Sequence, residues 1–266
     1  MSILKSSSLT DFADGLQASG RYSFTRHDAA SAGKRSGVAI EAALRRLKQK
    51  GRIASPRRGF YVLVPPEYRE AGSPPASWFV DDLMQFLDQP YYVGLLTAAA
   101  AHGAAHQQPM AFQVITDRPT RPAYAGRVRI EFHMSRRADA VPVTKLQTET
   151  GFMRTSTPET TAFDLVRFAG QAGHLSNVCT VLGELAEKLD SLKLPKLASL
   201  YCVPDVQRLG YLLERIGREE LAAGLHDWLE GRRYRPILLS HEERRGKTPP
   251  DMRWRVIPNA AVEADL

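Results

Sequence analysis

The segment 36–50, SGVAIEAALRRLKQK, constrains this chain more than any other stretch. Ile40, Ala43, Leu44 and Leu47 recur at the i, i+3, i+4, i+7 spacing that collects apolar side chains on one helical face. Ser36 stands where such a helix needs an N-cap, and Gly51 where it has to stop. The pattern predicts a helix over 37–50 whose apolar face must be covered, with Arg45, Arg46 and Gln49 pointing away from that face. The cover is close in sequence. A short helix over 11–17, opened by Thr10 or Ser8, ends near Gly20, and a second over 26–32, opened by Thr25, ends at Gly33. After Gly51, RIASPRRGFYVLVP reads as a strand, a turn at 56–59 with Arg57 and Arg58 at its tip, and a second strand over 60–64. Two helices, a longer basic helix and an Arg-tipped hairpin follow the element order of a winged helix-turn-helix.

Charge is concentrated in the same place. The chain carries +7 overall, and residues 1–70 hold thirteen Lys/Arg against six Asp/Glu, so the remaining 196 residues are balanced. Between Lys34 and Arg58 there are nine basic residues and one acid, Glu41. A local basic block on a neutral remainder points to a polyanion partner rather than to a solubility device. A helix of about fourteen residues is roughly 21 Å long and enters the major groove of B-DNA. The expected DNA-binding residues are Arg26, Lys34, Arg35, Ser36, Arg45, Arg46, Lys48, Gln49, Lys50, Arg52, Arg57 and Arg58. Among them Arg35, Ser36 and Arg45 are expected at base edges. Lys48, Lys50 and Arg52 are expected at phosphates, and the wing-tip arginines in an adjacent minor groove. RNA is the weaker polyanion here, because no platform of stacking aromatic side chains accompanies the cations.

A Pro-, Gly- and Ser-rich stretch over 65–75 separates this block (1–66) from a larger region, 76–266. That region predicts helices over 77–87 and 93–105. Strands over 112–116, 127–134, 143–148 and 152–155 then form a small antiparallel sheet. A helical stretch follows from Thr157 to about Glu230, and a tail has apolar patches at 237–239 and 254–257. The fold class expected is α+β. No G-x-x-x-x-G-K-[ST] loop, no G-x-S-x-G elbow and no lysine with a carboxylate two residues before it occurs, so phosphate-loop, serine-hydrolase and restriction-type nuclease chemistry find no support. His102 and His106 share a helical face but lack the Glu after the first His that zinc peptidases use, and packing accounts for them better than a metal. Glu159 and Asp164 in TPETTAFDL form the nearest thing to an acid pair. Glu159 suits a first helical turn, and Asp164 is expected to anchor a loop or an arginine such as Arg121 or Arg154. Trp254, between Arg253 and Arg255, reads as a core side chain flanked by solvated cations. No catalytic residue, cofactor or metal is expected. Cys179 and Cys202 form no paired motif, no secretory leader pattern opens the chain, and the richest apolar run, 93–101, is far short of the ~20 residues a span needs. The expected location is the cytoplasm.

Several pieces in order resemble the AbiEi-type antitoxins, regulator halves of bacterial type IV toxin–antitoxin pairs. They are LRRLKQKGRI with PRRGFYVLVP, then YYVGLLTAAAAHGAAHQQP, FQVITDRPTR, TSTPETTAFDLV and the terminal RWRVIPN. The resemblance implies a repressor that binds inverted repeats in its own promoter. It also implies a C-terminal domain that counteracts a nucleotidyltransferase-like toxin, without requiring direct contact. It transfers roles only to the basic N-terminal positions. Two other readings compete: an enzyme whose second domain modifies a nucleotide or protein and uses the winged helix for targeting, and an adaptor whose basic patch meets an acidic protein.

Overall fold

The computed structural model describes residues 8–32, 36–104, 109–246 and 248–262. In chain order the elements are α1 (Leu9–Ala18), β1 (Ser23–Thr25), α2 (Arg26–Ala32), α3 (Gly37–Gln49), β2 (Ile53–Arg57), β3 (Phe60–Leu63), α4 (Val80–Leu87), β4 (Tyr91–Val93), α5 (Leu95–Ala101), β5 (Phe112–Thr116), β6 (Ala123–Ala125), β7 (Val128–Met134), β8 (Val143–Thr148) and β9 (Gly151–Ser156). Then come α6 (Pro158–Arg167), α7 (His174–Leu185), α8 (Leu194–Ala198), α9 (Val203–Arg215), α10 (Glu219–Glu230), β10 (Ile237–Leu238) and β11 (Val256–Ile257). The mixed α+β class is the expected one. Strands β1, β3 and β2 make a small antiparallel sheet in that order. A second sheet runs β6-β7-β5-β4-β9-β8; it is mixed rather than antiparallel throughout, since β5 pairs β7 and β4 pairs β9 in parallel.

Contacts divide the chain into two units that ignore a single linear cut. The first comprises Met1–Tyr91, Met110–Arg136 and Lys145–Arg154; the second comprises Tyr92–Pro109, Arg137–Thr144 and Thr155–Leu266. In the first unit the helix boundaries follow from local chemistry. Ser8 Oγ accepts from Asp11 N at 3.0 Å while the Asp11 carboxylate accepts from Ser8 N at 2.8 Å, a reciprocal box that starts α1 two residues earlier than expected. Thr25 and Asp28 cap α2 in the same reciprocal way. Ser36 caps α3, and Gly51, at a φ of 62°, ends it. Ile40, Ala43, Leu44 and Leu47 of α3 join Leu9, Ala13 and Leu16 of α1, Ala29 of α2, and Phe24, Ile53 and Leu63 in one buried cluster. Phe24 stacks on Tyr61 at 5.3 Å and meets the edge of Phe12 at 5.6 Å.

The elements around that cluster also meet residues beyond the 65–75 stretch. Phe60 lies 5.5 Å from Phe86 of α4, and Tyr22 lies 4.8 Å edge-on to Trp78. Ser23 Oγ donates to the Asp82 carboxylate. The 65–75 stretch is folded too. Arg127 N donates to Ala71 O at 2.7 Å, and a Cβ on Gly126 would fall 2.1 Å from that oxygen, so only glycine fits there.

The second unit is built on α6 and α9. Thr157 caps α6 with Pro158 as its first residue, and every side chain from Glu159 to Val166 is buried. Helix α9 holds the C-terminal tail through its own buried polar residues. Gln207 Nε2 donates to Trp254 O at 2.8 Å, and Arg208 donates to the Leu238 and Leu239 carbonyls. Trp254, 1% exposed, lies against Gly210, where a Cβ would come within 2.0 Å of the ring. The two apolar patches of the tail pair as parallel strands, Ile237 with Val256 and Leu238 with Ile257. Among the described residues no helix is long and apolar enough to cross a membrane.

Candidate nucleic-acid interface

Burying one face of α3 decides what the other face shows. Arg45, Arg46, Lys48, Gln49 and Lys50 are all exposed, and the four cations make no ion pair among the described residues. Ser36 is exposed, and its hydroxyl accepts from Ala39 N at 3.4 Å as the cap of α3. Lys34 and Arg35 lie outside the described residues.

The remaining expected contacts divide. Arg26 is exposed but paired at 2.6 Å with Glu41, the lone acid of the basic block. Arg52 is half-buried and paired with Asp14. Arg57 departs furthest from expectation. Its guanidinium donates to the carbonyls of Arg121 and Pro122 and sits 5.5 Å over the Phe132 ring, and burial lowers its pKa. It is a strut between the hairpin and β6–β7, not a free wing-tip cation; sequence spacing alone had no means to show that strands sixty residues later would claim it. Arg58 remains exposed. Among the described residues expected at DNA, the open cations are therefore Arg45, Arg46, Lys48, Lys50 and Arg58.

One side chain on this surface was absent from the expected set. Val38, in the first turn of α3, is 82% exposed. Counting 100° per residue, it lies roughly opposite the buried face and in line with Ala42, Arg45 and Gln49. That count is available from sequence; a search for cations passes over it.

The residues weighed for catalysis are placed by packing. Glu159 accepts from Asp190 N at 3.2 Å. Asp164, 1% exposed, accepts from Tyr92 Oη at 2.7 Å and Tyr201 Oη at 3.1 Å, so its partners are two tyrosines and not Arg121 or Arg154. Burial raises its pKa to about 7, against the two hydroxyl bonds, which lower it. His102 Nε2 contacts Ser156 O at 2.7 Å, and His106 lies outside the described residues. His226, Asp227 and Glu230 bring ligand-type atoms together on α10, but His226 and Glu230 are an i, i+4 pair at 3.6 Å with both carboxylates exposed, which helix geometry explains by itself. A cavity of about 630 Å³ in the second unit is lined by Arg167, His174, Arg208, His241 and Glu242 among others. Three of these groups are already matched: His174 and Glu242 to each other at 2.6 Å, and Arg208 to its two tail carbonyls.

Residues 92–215 match the family described as the AbiEi antitoxin C-terminal domain. This stretch of the chain belongs to the AbiEi antitoxin family. The AbiEi domain thus begins at Tyr92, inside β4, and takes in α6 with its Asp164–Tyr92–Tyr201 cluster and the whole of α9. No curated protein matches the chain. Among solved structures, the RV2827C protein from Mycobacterium tuberculosis is similar over 93% of this chain and 89% of its own, with a TM-score of 0.66 and 17% identity. At that identity the likeness speaks for a shared fold.

Proposed function

We propose that the protein is a DNA-binding transcriptional repressor that serves as the antitoxin of a type IV toxin–antitoxin pair. In this reading residues 8–64 are a winged helix-turn-helix with α3 as its recognition helix. The protein binds inverted repeats in its own promoter, and its AbiEi domain counteracts a nucleotidyltransferase-like toxin, by contact or otherwise. The observation that carries the reading is the outward side of α3 and its C-cap, where four cations stand exposed and form no ion pair among the described residues, on a helix whose opposite face is packed. Cations so placed neutralise phosphates and release counterions, while side chains near the helix N-terminus reach base edges. The AbiEi domain match supports the antitoxin half of the reading.

A mobility-shift titration of the DNA upstream of its own gene tests the proposal. We expect a complex that outcompetes random duplex and that the double variant Arg45→Ala, Arg46→Ala abolishes at physiological salt. Equal affinity for unrelated duplex, or a variant that binds as well as the parent, would sink it.

A further inference from the structure

We propose that Val38 is a specificity-determining residue that reads thymine by packing against its C5 methyl group in the major groove. The inference rests on the repressor reading above and adds to it a base and a contact. Val38 is 82% exposed. It is the second residue of α3 after the Ser36 cap, in the turn whose side chains meet base edges when such a helix enters the groove. Ala42, Arg45 and Gln49 follow it along the same outward line. A lone apolar side chain on a surface is ordinary, so exposure by itself argues nothing; the position does. A β-branched residue is a weaker helix former than the Lys, Arg, Glu or Gln that would suit a solvated face, and nothing among the described residues covers it. The chemistry then leaves one choice of base. An isopropyl group neither donates nor accepts a hydrogen bond, and the thymine methyl is the apolar mark that the major groove displays. Two features help it. The Val side chain holds essentially one rotamer in a helix, so little freedom is lost on contact. Its neighbour Glu41 is paired with Arg26 at 2.6 Å, so its charge is compensated beside the groove.

The test separates the methyl from everything else. A random-duplex pool enriched with the full-length protein supplies a consensus, and each consensus thymine is then replaced singly by deoxyuridine, which lacks only that methyl. For the parent protein we expect one thymine per half-site at which deoxyuridine weakens binding about fourfold, the worth of one buried methyl. For Val38→Ala, the thymine and deoxyuridine duplexes should bind alike at that position while other positions keep their preferences. An unchanged melting temperature would show that the variant is folded. If a consensus emerges but no thymine is coupled to Val38, this inference falls and the repressor reading stands. If Val38→Ala alters self-association and leaves the thymine-to-deoxyuridine ratio intact, the side chain is an assembly contact and the inference again falls. If no consensus emerges, both fall.

Discussion

Asp164 is a carboxyl shut away from water that accepts from two tyrosine hydroxyls, and its pKa rises to about 7 against about 3.9 in an unfolded chain. Between those values the folded protein keeps a proton that the unfolded chain has released. Stability from this group is therefore complete below about pH 4 and is lost as pH rises through about 7. The charges of Arg167 and Asp205 act on it in opposite directions and do not remove the effect of burial. We expect Asp164→Asn to flatten the fall of unfolding free energy between pH 4 and pH 7, read from denaturant titrations of both proteins across that range. Parallel curves would show that the carboxyl does not titrate in this window. Neither tyrosine partner is visible in sequence, because Tyr92 and Tyr201 lie 72 and 37 residues from Asp164 and only the packing of α6 brings the two hydroxyls and the carboxyl together.

Elements reward periodic patterns and penalise short ones. Helix α3 matches its expected span to within one residue, and β5 and β8 match theirs, because each has a cap or an alternation that local chemistry enforces. The three-residue strands β1, β4 and β6 have no such signal. Ser23–Thr25 has no periodicity to detect and exists because β3 offers it a register, Ser23 opposite Val62 and Thr25 opposite Phe60. The strand runs by themselves suggest one antiparallel set, whereas the parallel β5–β7 pairing depends on a return that no local signal encodes. For α3 itself, the end bearing Lys48 and Lys50 is expected at the backbone. Replacing either lysine by alanine should weaken specific and random duplex to the same extent and reduce the slope of log affinity against log salt by about 0.9. A salt titration by fluorescence anisotropy reads this, and a variant that changes base preference instead would move these lysines off the phosphates.

At the scale of the molecule, the basic segment is tied to residues beyond the 65–75 stretch. The Phe60–Phe86 and Tyr22–Trp78 ring pairs and the Arg57 strut all cross it. A fragment ending at residue 66 should therefore be less stable than the same segment in the full chain, by about 2 kcal/mol or more if each ring pair contributes about 1 kcal/mol beyond its buried area. Hydrogen exchange at the α3 and β3 amides measures both. Equal protection in fragment and full chain would show that 1–66 is an independent domain.

From sequence alone came the helical face of α3, its caps, the cationic block and the ordered pieces that resemble the AbiEi antitoxins, because caps, periodicity and charge act between residues a few positions apart. Tertiary structure decided which cations are left over. Arg26, Arg52 and Arg57 are equally basic on paper, yet Glu41, Asp14 and the Arg121–Pro122 carbonyls claim them. A charge is available to a partner only when no nearer group has already satisfied it, and nearness is a property of the folded chain.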